Sequence, residues 1–352
     1  MFRLWRSELI TVLVTGAGGG VGQGIIKSLR LITDLPIRIL GADMAAQSAG
    51  LYACDKVFLV EGCRSPRYLE SLARIFEAES VDYYIPGTDI ELALCAEKRE
   101  EIAQRFGTRV VVNPLNAVQI ADDKALTSAF LKENGLPYPK TWPLVEALKI
   151  DDLPFPVIAK PAVGFRSIGV ERANSQEELA AYPGDHSQII VQELIGDDTR
   201  EFTCTIVGVN GKLSPVLALR RILRSGDTYR AFPEQNAEVE AYVTAIAEKL
   251  SVEGACNFQL RLDHDGVPKV FEINARFSGT TPFCSQLGFN PVEFYIKHDQ
   301  GIPYSPEIAW DSAVLRYWSE LVLPTAALNQ LENTGQLIPD PGTQFSLYGR
   351  RS

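Results

Sequence analysis

"GACNFQLRLDHDGVPKVFEINARFSG", residues 254–279, decides what kind of protein this is. Two runs of mostly apolar residues flank Asp265-Gly266, a pair suited to the positive φ of a tight turn, so the stretch predicts an antiparallel hairpin. Gln259 lies on the first strand. Glu272 and Asn274 lie two apart on the returning strand, so their side chains share one face. A carboxylate with amide oxygens is a hard-oxygen donor set that suits Mg²⁺ better than zinc. Mg²⁺ commonly shares its site with nucleotide phosphates, and Arg276, on that face by the same period, is placed to meet them. The alternative is a strand face whose polar residues simply meet water. Four such side chains within otherwise apolar strands favour the site.

Working outward, Lys160 interrupts the apolar strand "FPVIAKP", residues 155–161. An ammonium at the end of a buried strand calls for an anion. The following "AVGFRSIGV", residues 162–170, could offer backbone N–H groups and the Ser167 hydroxyl to phosphates. An ordinary turn between strands explains that loop equally well. Lys124 opens a predicted helix in "DDKALTSAFL", where a lysine alone says little. In "IIVQELIGDDTREF", residues 189–202, an apolar strand runs into a segment whose backbone could bond adenine, with Glu201 as an acceptor for ribose hydroxyls.

The first third has a different texture. "VTGAGGGVGQG", residues 14–24, follows an apolar strand and opens a helix. Thr15-Gly16-x-x-Gly19-x-x-Gly22 fits a glycine pattern of short-chain dehydrogenases, and Asp43 ends the second strand where a ribose-binding acid would stand. The strict GxGxxG spacing fails, because Val21 and Gln23 occupy the third-glycine position in its two registers. The one Tyr-x-x-x-Lys pair, Tyr52 and Lys56, comes directly after the second strand, too early for dehydrogenase chemistry. The glycines are therefore read chiefly as close packing of helix on strand. Strand and helix patterns alternate through residues 11–115, which predicts a doubly wound parallel sheet. From about residue 140 hairpins dominate, including "REFTCTIVGVNGKLSPVLALRRI" with its Asn210-Gly211 turn, and the texture becomes α+β.

With 352 residues the chain can build two or three lobes, and 46% hydrophobic and 22% charged residues are ordinary globular values. A net charge of −10 argues against a nucleic-acid or anionic-membrane partner. No apolar run is long enough to span a bilayer, and "MFRLWRSELI" lacks the core of a secretory signal. The six cysteines form no CxxC pair, which fits a reducing cytoplasm. Three scattered histidines make a zinc site or a histidine-centred triad a poor expectation.

Residues from about 115 to 300 resemble the ATP-grasp superfamily, and most nearly its carbamoyl phosphate synthetase large-subunit-like carboxylate–amine ligases. The hairpin carries the most specific match: Gln259, Glu272 and Asn274 stand where the family binds its metal, and Arg276 where the following arginine stands. The resemblance implies ATP and Mg²⁺, with Mn²⁺ as a substitute. It puts Lys124, Lys160 and Ser167 on the ATP phosphates and "QELI" (Gln192, Glu193, Leu194, Ile195) at the adenine hinge, with Glu201 on ribose. It gives Arg276 the transferring phosphoryl, with Arg221 of "LALRRILRSGDTY" as a second catalytic candidate whose strand register is open. Ser278 to Thr281 would then face the substrate cavity, and "RSGDTYRAF", residues 224–232, is either a mobile lid or a plain exposed loop.

The implied architecture is a Rossmann-like pre-ATP-grasp domain over residues 1–115 and a two-lobed ATP-grasp domain over 116–310, its small lobe at about 125–195. A C-terminal extension, 311–352, packs on the second domain. The glycine turn would face the ligase cleft without binding a dinucleotide. The implied reaction joins a carboxylate to an amine through an acyl phosphate, on small-molecule substrates, with a homodimer as a family-based option. Two features depart from the family: Arg166 precedes Ser167 where relatives carry glycine, and Gln192 stands where many have Glu. A single ATP-grasp unit also argues against carbamoyl phosphate synthesis itself. Two rivals stay open, a nucleotide-sensing module without turnover and a nicotinamide oxidoreductase built on the first lobe.

Overall fold

The computed structural model describes residues 9–164 and 168–341. Strands β1 (Ile10–Val14), β2 (Ile37–Asp43), β3 (Lys56–Leu59), β4 (Tyr83–Ile85) and β5 (Arg109–Val110) form a parallel sheet in the order β3-β2-β1-β4-β5. Every residue of β1 is buried, as befits a strand covered on both faces. Val12 and Val14 pack with Ile25, Ile26 and Leu29 of the helix Gly20–Arg30, whereas Leu13 packs on the other side with Leu72, Ile75 and Phe76 of the helix Tyr68–Glu79.

The glycine turn closes on its own domain. Gly16 has φ 57°, and a Cβ there would lie 2.5 Å from Thr88 Cγ2. A Cβ on Gly22 would lie 2.2 Å from the Gly16 carbonyl oxygen, so this glycine lets the helix start against the strand. The Gly18 N–H donates to Asp43 Oδ2 at 2.7 Å, and Ser48 fills the space beside Gly18. The acid expected at ribose is thus engaged with the turn itself. The turn abuts the Gly87–Thr88 segment rather than the cleft described below.

A second sheet is small and antiparallel. Strands β6 (Thr141–Pro143), β7 (Val157–Pro161), β8 (Glu171–Ala173) and β9 (Ile189–Glu193) run in the order β6-β9-β7-β8 over a compact core that includes Leu144, Val157 and Val191. Strands β10 (Glu201–Val209), β11 (Lys212–Leu213), β12 (Leu217–Arg224), β13 (Asp227–Pro233), β14 (Gly254–Leu262), β15 (Pro268–Asn274) and β16 (Val314–Leu315) form the third sheet. Its order is β15-β14-β10-β12-β13-β16, with β11 paired to β10. Asn210 and Gly211 have φ 50° and 72°, and Gly266 has φ 85°, as the predicted turns require.

The end of the chain serves two sheets. Strand β16 extends the third sheet beside β13, while β17 (Gln336–Leu337) pairs antiparallel with β3 at the edge of the first. The stretch 224–232 is regular rather than an irregular loop. It is the β12–β13 hairpin, turned by Ser225 and Gly226 with φ 53° and 81°.

The first and third sheets are tied together by polar contacts. Buried Asn113 donates through Nδ2 to the carbonyls of Ala255 (2.7 Å) and Ala275 (3.0 Å), and accepts the Glu253 N–H at 3.0 Å. The β14–β15 hairpin is thus held from the first domain at the start of β14 and just past the end of β15.

Candidate functional site

The sequence-predicted residues converge on one cleft of about 1010 Å³, open mouth included, between the second and third sheets. Lys124, Lys160, Gln192, Glu193, Leu194, Ile195, Glu201, Arg221, Gln259 and Glu272 all line it. Asn274 and Arg276 stand just beyond its lining, and Ser167 and Arg166 lie outside the described residues.

Strand pairing explains the convergence. Gln259 on β14 is directly opposite Glu272 on β15, and Asn274 is opposite Asn257, so the polar residues share a face. The register shifts after Gln259, because Leu260 pairs with Val270 and leaves Phe271 unpaired. This bulge lets the adjacent residues Phe271 and Glu272 both line the cleft. Period-two reasoning from the sequence did not foresee it.

Lys160, at the end of β7, is 5% exposed. Its ammonium donates to Gln192 Oε1 at 2.8 Å and to the Phe271 carbonyl at 3.4 Å, and sits 5.5 Å from the Phe271 ring centroid. Burial pulls its pKa down to about 7; Glu272 opposes that fall, whereas Lys124 and Arg261 add to it. A carboxylate at position 192 would hold the ammonium charged, but Gln192 offers only an amide oxygen and passes its own NH₂ to Thr141 Oγ1 at 3.0 Å. Lys124 begins its helix behind the N-cap Asp123 and donates to the Gly164 carbonyl at 2.9 Å, at the threshold of the 165–167 segment.

Glu201 does not present a free edge to a sugar. Its Oε1 accepts from Arg221 Nε (2.9 Å) and Nη2 (2.6 Å), and its Oε2 from Arg261 Nε (2.8 Å). The register of β12 puts Arg221 opposite Ala231 and on the cleft side, where it is 7% exposed. Its Nη2 also donates to Gln259 Oε1 at 2.7 Å. Arg220, on the other face, pairs with Glu234 and lies over Phe232. Arg261, a cleft residue absent from the sequence-based set, has a readable place two residues after Gln259 on the same strand.

Arg276 reaches across to the first domain. Nε and Nη2 engage the two oxygens of Asp89 at 2.6 and 2.8 Å, and Nη2 also donates to Asn274 Oδ1 at 3.0 Å. Asn274 Nδ2 in turn donates to Glu272 Oε1 at 3.1 Å. The segment carrying Asp89 is fixed by buried Glu91, whose Oε1 accepts the N–H groups of Gly87 (3.0 Å) and Thr88 (2.9 Å) and whose Oε2 accepts from Thr15 and Tyr84. Neither acid was singled out from the sequence. Ser278, Thr280 and Thr281 turn inward instead of facing a cavity: Ser278 Oγ and Thr280 Oγ1 share a 2.7 Å hydrogen bond, and Thr281 Oγ1 accepts the Ser278 N–H at 2.9 Å.

As a metal site, the hairpin supplies one carboxylate and two amide oxygens, all hard donors, and no sulfur or imidazole. That set fits Mg²⁺ when phosphate oxygens and water complete the shell. Among the described residues no group of three or more His, Cys, Asp or Glu is placed to hold a metal by itself. No helix among the described residues is long and apolar enough to cross a membrane.

Two family models match separate parts of the chain. Residues 12–111 match the family described as PylC-like, N-terminal domain, and residues 185–317 match the family described as ATP-grasp in the biosynthetic pathway with Ter operon. The carbamoyl phosphate synthase large chain of Clostridium beijerinckii is 24% identical over 310 residues, which is 80% of this chain and 28% of that one. The chain thus spans under a third of the length of that curated relative. Among solved structures, an L-amino acid ligase from Bacillus licheniformis superposes with a TM-score of 0.64 at 17% identity, covering 82% of this chain and 74% of the other. The biotin carboxylase domain of Hydrogenobacter thermophilus 2-oxoglutarate carboxylase, crystallised with MgADP, ADP and bicarbonate, does so with a TM-score of 0.64 at 17% identity, over 84% and 71% of the two chains. These likenesses establish the fold. The chain carries a PylC-like N-terminal domain, over residues 12–111, followed by an ATP-grasp domain matched over residues 185–317.

Proposed function

We propose that the protein is an ATP- and Mg²⁺-dependent ligase that joins a small-molecule carboxylate to an amine through an acyl phosphate. The observation that carries this reading is the meeting of Lys124, Lys160, Arg221, Gln259 and Glu272, from separate elements, around one nucleotide-sized cleft. Gln192 to Ile195 supply its strand-end wall on the proposed adenine side, and Lys124 and Lys160 its cations for the phosphates. In this reading residues 116–310 form the ATP-grasp unit and 1–115 the domain that closes its far side.

A carboxylate is a poor electrophile. Attack by its oxygen on the γ-phosphorus of ATP releases ADP and leaves an acyl phosphate. The amine then attacks the carbonyl carbon, phosphate leaves and the amine gives up a proton. Catalysis of the first step is mostly charge neutralisation and positioning. Glu272, with Gln259 and Asn274, would hold Mg²⁺, which when bound screens the phosphate charge. Arg276 sits beside Asn274 and is the candidate for the transferring phosphoryl; Arg221 is poised at Gln259. Both arginines are already oriented by carboxylates, Asp89 and Glu201, which lowers the ordering needed when the nucleotide arrives.

The test is ADP release from Mg-ATP with a pool of amino acids and small carboxylic acids, hydroxylamine being added to trap the acyl phosphate. Acid-dependent ADP release with hydroxamate, abolished in Glu272→Gln, is the expected result. Saturable ATP binding with no acid-dependent turnover across divided pools would favour a nucleotide-sensing module instead.

A further inference from the structure

The third sheet ends in an uncovered corner. Its last strand, β16, pairs with β13 on one side and, among the described residues, with no strand on the other. The pairing continues one residue further, because the Arg316 N–H donates to the Tyr229 carbonyl at 2.9 Å. Successive N–H groups of a strand point to opposite sides, so those of Leu315 and Tyr317 are turned to the open edge.

Leu315 is opposite Arg230, and Arg230 is opposite Ile222, which makes one cross-strand row on the face away from the cleft. Over β10 and β12 that face is covered by the helix Ala237–Lys249, whose Val239, Val243 and Ile246 share a core with Cys204, Ile206 and Ala218. The row lies beyond this cover. Ile222 and Arg230 are exposed, Leu315 is 63% exposed, and Tyr317, two residues on, is 84% exposed. Exposed Trp318 lies 5.1 Å from the Arg224 guanidinium, and the Tyr229 ring lies 5.3 Å from Arg224 and 5.5 Å from Arg230. Arginine and aromatic side chains on an apolar edge have the composition of an interface core.

Charge selects the occupant. Arg220 pairs with Glu234, whereas among the described residues neither Arg224 nor Arg230 has a carboxylate within 4 Å. A second copy pairing edge to edge would offer Val314–Trp318, which brings Arg316 and no acid. Of the chain's ends, residues 1–8 carry Arg3 and Arg6 against Glu8, and residues 342–352 carry Arg350 and Arg351 with no acid. None of these supplies the missing anions.

We propose that the β16 edge, with Ile222, Arg224, Arg230, Leu315, Tyr317 and Trp318, docks an extended acidic segment of another protein, which adds a strand to the third sheet. The outward backbone groups of Leu315 and Tyr317 pair with the incoming chain. Its apolar side chains cover Ile222 and Leu315, and its carboxylates meet Arg224 and Arg230. This surface does not depend on the ligase reading.

Fluorescence anisotropy with the full-length protein tests the assignment. The probe is a fluorescein-tagged peptide of about ten residues that alternates Glu and Tyr, the period of a strand. Saturable binding that weakens severalfold as salt is added is the expected result. The same peptide with Ser in place of Glu should bind at least about tenfold more weakly. Arg224→Glu combined with Arg230→Glu should weaken binding of the acidic peptide about tenfold or more. Tyr317→Pro, which removes an outward N–H, should weaken it about threefold or more. All three positions are exposed, so thermal melts of these variants should match the wild type. Absence of saturable binding, or equal affinity in wild type and the double-arginine variant, overturns the proposal. A dimer in sedimentation that Leu315→Asp dissociates also overturns it, by giving the edge to a second copy. Peptide binding that emerges only after residues 342–352 are removed does so too, by giving the edge to the chain's own end. Tighter binding of a labelled oligothymidylate than of the acidic peptide would assign the edge to nucleic acid and overturn it equally.

Discussion

Arg276, two residues past the end of β15, closes a bidentate ion pair on Asp89 of the first domain, with N···O distances of 2.6 and 2.8 Å. The contact joins residues 187 apart in sequence and ties the first domain to the proposed site. Asp89 is a positioning residue in this account, acting through Arg276. Asp89→Asn should lower kcat about tenfold to a hundredfold while nucleotide affinity stays within about twofold. A purely structural ion pair would instead lower Tm and leave kcat intact. Steady-state kinetics, nucleotide titration and thermal denaturation of the one variant separate these outcomes.

Lys160 gives a proton signature. Burial holds its pKa at about 7 in the nucleotide-free protein, below the ordinary 10.5. The folded state therefore binds fewer protons than the unfolded state between about pH 7 and 10.5, and this lysine's contribution makes stability rise with pH across that window. A polyphosphate beside the ammonium favours its charged form. Nucleotide binding at pH 8 should take up nearly one proton, and affinity should fall as pH rises above 7. Calorimetry in buffers of different ionisation enthalpy measures the uptake, which Lys160→Met should remove. A binding heat that ignores the buffer would contradict this.

The Glu201 cluster predicts a stability effect where the sequence pointed only to ligand binding. Glu201 and Arg221 have side chains 5% and 7% exposed, and Arg261 is 18% exposed. Glu201→Gln leaves buried Arg221 without its carboxylate, while Arg261 keeps Asp198, and breaking a buried pair costs about 3 kcal/mol or more. Urea denaturation should show a lower midpoint at unchanged m. A loss below about 1 kcal/mol would mean that the arginines find other partners.

Gly22 is the sharpest test of the glycine turn. The Cβ of Gly22→Ala would fall 2.2 Å from the Gly16 carbonyl oxygen, a backbone atom that cannot swing aside. Overpacking of this kind costs about 1–3 kcal/mol. Gly20→Ala, which meets nothing within 4 Å, should be neutral or slightly stabilising in comparison. Paired thermal melts of the two variants check the difference.

Much of this was legible because it is local. The two-residue period put Glu272 and Asn274 on one face, Asn210-Gly211 and Asp265-Gly266 announced their hairpins, and the alternation of β1 to β5 with helices announced a parallel sheet. What stayed hidden depends on partners distant in sequence. Glu201 reads as a free acceptor until Arg221 and Arg261 are folded against it. Asp89 and Glu91 are two acids among many until the first domain meets the hairpin. The Phe271 bulge breaks the very period that sequence reasoning relies on, and the inward hydroxyls of Ser278 and Thr280 satisfy each other rather than a ligand.

The most direct measurement of the central claim is isotope transfer. The acid pool, labelled with ¹⁸O in its carboxyl groups, is incubated with the protein, Mg-ATP and an amine pool, and the released phosphate is analysed by mass. Phosphate carrying one ¹⁸O is the predicted result, since the oxygen that attacks the γ-phosphorus leaves with it when the amine displaces phosphate. ADP release accompanied only by unlabelled phosphate would contradict carboxylate activation in this cleft.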